Sequence, residues 1–375
     1  MMEICKKEHC TGCAACMNKC PKQCIEMKED EFGYFLPFID ESRCIECGLC
    51  QKVCPENNRP SANTIQKAYA AWSLDDHDRS SSTSGGIASV LTNHILHQGG
   101  VAFGSVSLEK CEVRHEAVEQ VCNAARFKGS KYVQSTIGYC YQEVKEALKQ
   151  NKQVLFTGTP CQVAGLRNFL GKPYENLYTV DIICHGVPSL KLLREHLSRY
   201  CLLDDITKVS FRNNEGFVLS AYKDDKLQYS KPFPNDRYLY GFMYALFYRP
   251  SCYECRYANS HRISDLTIGD FWGLGKKRPV NYDTKKVSVV TPNTDKGALL
   301  LKACKQKLFL EERDRKEAIS GNKQLQVPSI RHKYYHVFRA LYHKFGFSCA
   351  IKVCMIEFYI KYFVYKRIQP IKKLF

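Results

Sequence analysis

The sequence predicts a small cysteine-rich α+β module, then an α/β domain with a mainly parallel sheet, then a helical C-terminal region. Three observations carry this reading. Ten of the 21 cysteines fall before residue 55. From about Lys67 apolar segments alternate between strand and helix texture, separated by Gly and Pro. From about Gly297 the pattern reads as helical. With 375 residues, 45% of them hydrophobic, the chain is long enough for a sizeable core and two or three domains.

The first unit rests on a spacing that occurs twice. Cys10-x2-Cys13-x2-Cys16-x3-Cys20-Pro21 is repeated as Cys44-x2-Cys47-x2-Cys50-x3-Cys54-Pro55. Three closely spaced thiolates on one tight loop can reach three irons of a single cube. The fourth, carried off by the following turn, reaches the neighbouring cube. Cys10, Cys13, Cys16 and Cys54 are therefore expected to hold one 4Fe-4S cluster, and Cys44, Cys47, Cys50 and Cys20 the other. Residues 1–60 then form a ferredoxin-like two-cluster module. Zinc, which is usually held by two separated pairs, fits two complete four-cysteine runs poorly. Cys5 and Cys24 lie outside the pattern and read as small buried hydrophobes.

Residues 56–66 are polar and contain Pro, which marks a linker. Beyond it, Ile87, Val90, Leu91 and Ile95 are spaced as one helix face, and Gly99-Gly100 ends that helix ahead of a strand at Val101–Val106. A helix at Glu143–Leu148, a strand at Gln153–Phe156, a loop through Cys161 and a helix at Gln162–Leu170 follow. The plan repeats with a strand at Tyr178–Ile183, a loop at Cys184–Pro188 and a helix at Leu190–Tyr200. Such alternation argues for parallel βαβ units. Residues 206–229 are more strand-like, and Asp265–Ile268 is a further strand. We divide the second unit into residues 67–190, residues 191–300 and a basic helical tail, residues 301–375.

Cys161 and Cys184 each fall between a strand and the helix after it, so both belong on the carboxyl rim of the sheet, where open parallel sheets gather ligands. Cys252-x2-Cys255 lies a few residues before the Asp265 strand. Four cysteines so placed could hold a third cluster, and on residues alone a structural zinc remains its competitor. No Gly-x-Gly-x-x-Gly follows a strand. Ser82–Gly86 opens a helix and Phe127–Val133 joins Gly, Ser and Lys, and both could meet phosphate. A plain cap and turn is the simpler reading of the first. Asp270–Gly273 has the form of a tight turn around a core Trp272.

Taken in order, Ser84-Gly-Gly86, Gly129-Ser-Lys-Tyr132, Gly158-Thr-Pro-Cys-Gln162, Cys184-His-Gly186, Cys252-x2-Cys255 and Gly269-Asp-Phe-Trp-Gly273 resemble the beta-subunit family of coenzyme F(420) hydrogenases and dehydrogenases. The resemblance covers about residues 67–275, and a ferredoxin module in front is a common arrangement there. It implies an FAD with a cluster of its own near the flavin. It places Ser84, Gly85, Gly86, Gly129, Ser130, Lys131, Tyr132, Thr157, Gly158 and Thr159 around the flavin, with Asp270 and Trp272 close by. It also implies that Cys161, Cys184, Cys252 and Cys255 are ligands.

The function expected is an iron–sulfur flavoprotein oxidoreductase. Single electrons pass between the clusters and FAD, and hydride is exchanged with deazaflavin or another small organic substrate. An electron donor or acceptor protein is the expected partner. The alternative is a non-catalytic relay subunit that docks to a catalytic partner. If a proton is needed, His185 is the nearest titratable group in sequence, although a histidine beside a ligand cysteine more often makes a structural hydrogen bond. Lys131 could favour a phosphate or an anionic flavin, with a surface role as the simpler reading.

The formal net charge of +17 is concentrated late, with ten Lys or Arg and one acid, Glu357, between Arg331 and Phe375. No nucleic-acid motif accompanies it. Lys352, Glu357 and Lys361 interrupt the aromatic stretch from Phe345 to Tyr365, so neither a span nor an interfacial helix is expected there. With no apolar leader and clustered cysteines, a reducing cytoplasm is the expected location.

Overall fold

A computed structural model describes residues 3–363. The last residues of the basic tail, 364–375, lie outside the described residues.

The N-terminal module has pseudo-symmetric halves. Ala14 and Gly48, both in the left-handed region, start the short helices Ala15–Lys19 and Leu49–Val53. Each helix ends at the fourth cysteine of its run, Cys20 or Cys54. An antiparallel hairpin, Ile25–Glu29 with Phe35–Ile39, completes the module. Its Tyr34 is buried against the second unit and donates to the Phe247 carbonyl at 2.7 Å.

The second unit is built on an eight-stranded sheet. In spatial order the strands are Leu308–Arg313, Ala68–Ser73, Ser288–Pro292, Leu266–Asp270, Leu177–Ile182, Val154–Gly158, Val101–Ser107 and Val113–Val118. Five run the same way, but only the central four, from Leu266–Asp270 to Val101–Ser107, are parallel neighbours. The antiparallel strands at both edges explain why the βαβ reading caught the centre and passed over the margins. The Leu308–Arg313 strand in particular lies inside the region read as helical. Its three apolar residues, Leu308 to Leu310, are followed by three charged ones, so no two-residue period shows in the sequence.

Strand alternation sorts the core into two layers. Val101, Phe103, Val154 and Phe156 point to the face covered by helices Cys140–Lys149 and Pro160–Leu170. Ala102 and Leu155 point to the face covered by Ile87–His97, where Ile87, Val90, Leu91 and Ile95 are all buried. The N-terminal module packs on the first face, its Ala15–Lys19 helix against Pro160–Leu170. This docking brings its cysteines next to the rim of the sheet.

Residues 208–232 form a separate three-stranded antiparallel sheet. It shares a core with helices Leu190–Leu197, Arg237–Met243 and Tyr335–Cys354. The last helix breaks at Gly346 and buries Phe338, Tyr342, Phe347 and Ile351. Among the described residues no helix is long and apolar enough to cross a membrane.

Candidate functional site

Three groups of cysteines converge. Cys10, Cys13, Cys16 and Cys54 are mutual electrostatic neighbours. Cys20, Cys44, Cys47 and Cys50 line one small cavity together with Cys24. These are the two sets that the crossed pattern predicts. Cys5 and Cys24 are more than filling. Cys5 hydrogen-bonds toward Cys10 and Cys54, and Cys24 Sγ lies 3.4 Å from Cys20 Sγ. The spacing rule gave no signal for either, because they precede or follow the runs.

The third group, Cys161, Cys184, Cys252 and Cys255, lines a single cavity of about 120 Å³. The fold explains the convergence. Cys161 sits in the first turn of helix Pro160–Leu170, directly beyond the Val154–Gly158 strand. Cys184 follows the neighbouring parallel strand Leu177–Ile182. Thr159 starts the helix, its backbone N–H donating to Gln162 Oε1 at 2.9 Å, while its hydroxyl lies 3.1 Å from Cys161 Sγ. Cys252 and Cys255 arrive on the 3-10 turn Pro250–Glu254 and the residue after it. Backbone N–H groups of Gly186, Val187, Tyr257 and Ala258 point at the sulfurs of Cys184, Cys252 and Cys255.

Burial raises the thiols of Cys161 to about 11 and Cys252 to about 12, and also raises Cys184 and Cys255. Desolvated thiols aimed at one cavity, and already supplied with N–H donors, are a donor set that suits a metal centre. Among the described residues no three His, Cys, Asp or Glu side chains meet closely enough for a single metal ion.

The third group adjoins the first. Cys13 and Cys161 are electrostatic neighbours. Gly165, one turn after Cys161, lies so close that a Cβ there would stand 3.1 Å from Cys13 Sγ. The set with Cys44, Cys47 and Cys50 is farther out, and Cys47 is exposed.

The residues that the resemblance places around a flavin form a chain of contacts. Ser130 N–H donates to Thr83 Oγ1 at 3.0 Å, beside Ser84. Ser130 also bonds Tyr132, Tyr132 bonds Arg212, and Arg212 Nη1 donates to Asp270 Oδ2 at 2.6 Å. Thr83 and Arg212 were not singled out from sequence, and a lone arginine in a strand-like stretch carries no motif. Gly129 has φ +84° with open space where a Cβ would be. Gly85 packs instead on the sheet, since a Cβ there would stand 2.4 Å from the Ala71 carbonyl. Gly86 is left-handed at the N-terminus of helix Ile87–His97. Ser84 Oγ accepts from Ser288 at 2.9 Å.

Two expected roles change. Lys131 is half-buried, and its Nζ donates to the carbonyls of Ser105, Phe127 and Lys128 at 2.9, 2.9 and 3.0 Å, which uses all three donors. None is left for a phosphate in this arrangement. Desolvation pushes its pKa down to about 7. Trp272 is not core but 43% exposed. Thr157 and Gly158 end their strand near the third cysteine group, with the Thr157 carbonyl 3.1 Å from His115 Nε2. His185 stands exposed at the cavity mouth. The surrounding protein lowers its pKa, with Asp270 opposing, so the imidazole is mainly neutral near pH 7.

Comparison with known proteins gives matches at the level of domains. Residues 151–318 match the family model for the C terminus of the coenzyme F420 hydrogenase/dehydrogenase beta subunit. Two models described as 4Fe-4S dicluster domain match residues 9–58 and 36–88. A curated relative, "Ferredoxin 7Fe" of Hydrogenibacillus schlegelii, is 42% identical over 50 residues, 13% of this chain and 58% of its own length. The "Coenzyme F420-dependent sulfite reductase" of Methanocaldococcus jannaschii is 23% identical over 189 residues, 50% of this chain and 29% of its own length. The chain thus spans less than two thirds of either relative. A chain of the F420-reducing [NiFe] hydrogenase complex from Methanosarcina barkeri aligns with a TM-score of 0.48 at 17% identity, covering 73% of this chain and 98% of that one.

The dicluster domain and the domain behind it define an iron–sulfur protein of an oxidoreductase class. More particularly, residues 151–318 carry the C-terminal domain of the coenzyme F420 hydrogenase/dehydrogenase beta subunit, with a 4Fe-4S dicluster domain ahead of it.

Proposed function

We propose that this chain is an iron–sulfur flavoprotein oxidoreductase with three 4Fe-4S sites and one FAD. The observation that carries the reading is the convergence of Cys161, Cys184, Cys252 and Cys255 on one cavity beside the Cys10 set. When bound, the clusters supply one-electron chemistry, and the flavin couples it to two-electron hydride exchange with an organic substrate or deazaflavin.

The chain's own residues define the order of the sites. The Cys20, Cys44, Cys47 and Cys50 set faces outward through Cys47 and suits contact with an electron donor or acceptor protein. The Cys10 set lies between it and the rim of the sheet, with Gly165 removing any side chain between Cys13 and the helix that carries Cys161. Thr83, Ser130, Tyr132, Arg212 and Asp270 offer hydroxyl, N–H and charged groups for the flavin. His185 lies at the cavity mouth and is the titratable group next in sequence to Cys184.

The test is to purify the chain without oxygen and measure iron, sulfide, zinc and flavin per polypeptide. About twelve irons and one FAD are expected. Cys161→Ser and Cys255→Ser should each remove about four irons and spare the other eight. Unchanged iron in both variants refutes the third site. Eight irons without flavin leave the relay-subunit reading in its place.

A further inference from the structure

Arg249 stands between the first and third cysteine groups. It is 1% exposed, lies three residues before Cys252 and lines the cavity that the third group shares. Its backbone N–H donates to the Val187 carbonyl at 2.9 Å, which ties it to the Cys184 loop. Its guanidinium reaches the other way. Nη1 donates to the Cys10 carbonyl and Nη2 to Gln134 Oε1, at 3.2 and 2.5 Å, and both donate to the Phe35 carbonyl at 3.2 Å. The guanidinium carbon is 5.2 Å from the centre of the Tyr34 ring.

The space for this group is cleared by Gly12, inside the first cysteine run. Gly12 has φ +67°, and a Cβ there would stand 2.7 Å from Arg249 Nη2. All the partners of the guanidinium are neutral. Among the described residues no carboxylate pairs with it, and its Nε is buried without a hydrogen-bond partner. A buried, permanently charged guanidinium without a counter-anion is costly. Cysteine thiolates around iron carry the negative charge it lacks.

We propose that Arg249 is the shared counter-cation of the Cys10/Cys13/Cys16/Cys54 site and the Cys161/Cys184/Cys252/Cys255 site, and that it raises the reduction potential of both relative to the outer site. Reduction adds one electron and one negative charge to a cluster, so a fixed positive charge nearby favours the reduced form. Arg249 bonds the Cys10 carbonyl and lines the cavity of the third group, whereas it is not among the residues lining the cavity of Cys20, Cys44, Cys47 and Cys50. Electrons arriving at the outer site are thereby drawn inward. The proposal rests on the three-site reading above. It makes Arg249 a positioning residue, since the described contacts connect it to cluster ligands and their loops.

The test is an anaerobic redox titration followed by electron paramagnetic resonance, on the whole chain. Arg249→Gln removes the charge. Gln134→Glu leaves the arginine in place and neutralises it with an isosteric carboxylate. Iron content is measured for every protein. Both variants should lower the potentials of the two inner sites while the outer one stays fixed. The expected size is at least a tenfold change in the one-electron partition between inner and outer sites, about 59 mV. Arg249→Lys should restore part of the shift. If Gln134→Glu keeps full iron and moves no potential, or moves all three equally, the proposal is overturned. If Arg249→Gln sheds iron, the Gln134→Glu result decides alone. A wild-type chain with only eight irons would refute the third site, while the inner-to-outer shift within the ferredoxin pair would still test Arg249.

Discussion

Arg262 is the side chain whose removal should cost most. Its exposure is 2% and that of its partner Asp181 is 0%. Nη2 donates to Asp181 Oδ1 at 2.8 Å, Nη1 to the carbonyls of Tyr257 and Asn259 at 2.8 and 3.2 Å, and Nε to Thr267 Oγ1 at 3.1 Å. Asp181 Oδ2 is buried with no hydrogen-bond partner among the described residues. The arginine thus ties the loop after Cys255 to the Leu177–Ile182 strand that leads to Cys184. In Arg262→Met the Asp181 charge stays buried and alone, which costs about 3–5 kcal/mol. That is a large share of the 5–15 kcal/mol that holds a typical domain together. Asp181→Asn removes the charge but leaves the arginine its three other acceptors, so roughly 1–3 kcal/mol is expected. Because the two residues share one interaction, the double variant should cost less than the sum, by about 0.5–3 kcal/mol. Urea unfolding of the four proteins measures this, with iron content read alongside. Arg262→Met should lose the irons of the third site before those of the outer pair. An Arg262→Met cost under about 1 kcal/mol, or strictly additive costs, would refute the reasoning.

Three further outcomes follow from other residues. Burial pushes His115 down to about 4, with the Thr157 carbonyl opposing, while an unfolded histidine titrates near 6.5. The unfolded chain takes up this proton first, so the stability His115 contributes is present above pH 6.5 and is lost as pH falls toward 4. Between pH 7.5 and 5.5 the loss is about 1.4 kcal/mol, and His115→Asn should abolish that part of the acid sensitivity in urea titrations. Gly165→Val puts a side chain 2.9 Å from the Tyr141 hydroxyl and 3.1 Å from Cys13 Sγ. It should cost about 1–3 kcal/mol and perturb the paramagnetic signal of the Cys10 site while leaving the outer one unchanged. Lys131→Met strands three carbonyls and should destabilise by roughly 1–3 kcal/mol. Flavin per folded chain should stay constant in that variant, and a selective loss of flavin would restore the phosphate role to Lys131.

What the sequence made legible was local. Cys10 to Cys54 could be sorted into two crossed sets because ligand geometry within a short loop depends almost wholly on spacing. The strand–loop–helix texture around Cys161 and Cys184 put both on one rim, since parallel neighbours share their carboxyl ends. What stayed hidden depends on contacts between distant segments. Arg249 lies 239 residues from Cys10, and Arg212 lies 58 from Asp270. Neither sits in a motif, so only the docking of one unit on the other gives it a role. The edge strand Leu308–Arg313 was missed for a related reason. Its apolar run, Leu308 to Leu310, is only three residues long and is followed by Glu311, Glu312 and the buried Arg313, so only its pairing with Ala68–Ser73 defines it. The same docking explains why the inner sites are enclosed and the outer one is not. Helix Ala15–Lys19 is pressed against Pro160–Leu170, while the Cys47 loop has no such cover. On the proposed three-site reading, an electron entering at the exposed Cys47 would reach the buried Cys13, Cys16 and Cys54 before the half-buried third group. There a fixed charge such as Arg249 acts with little screening.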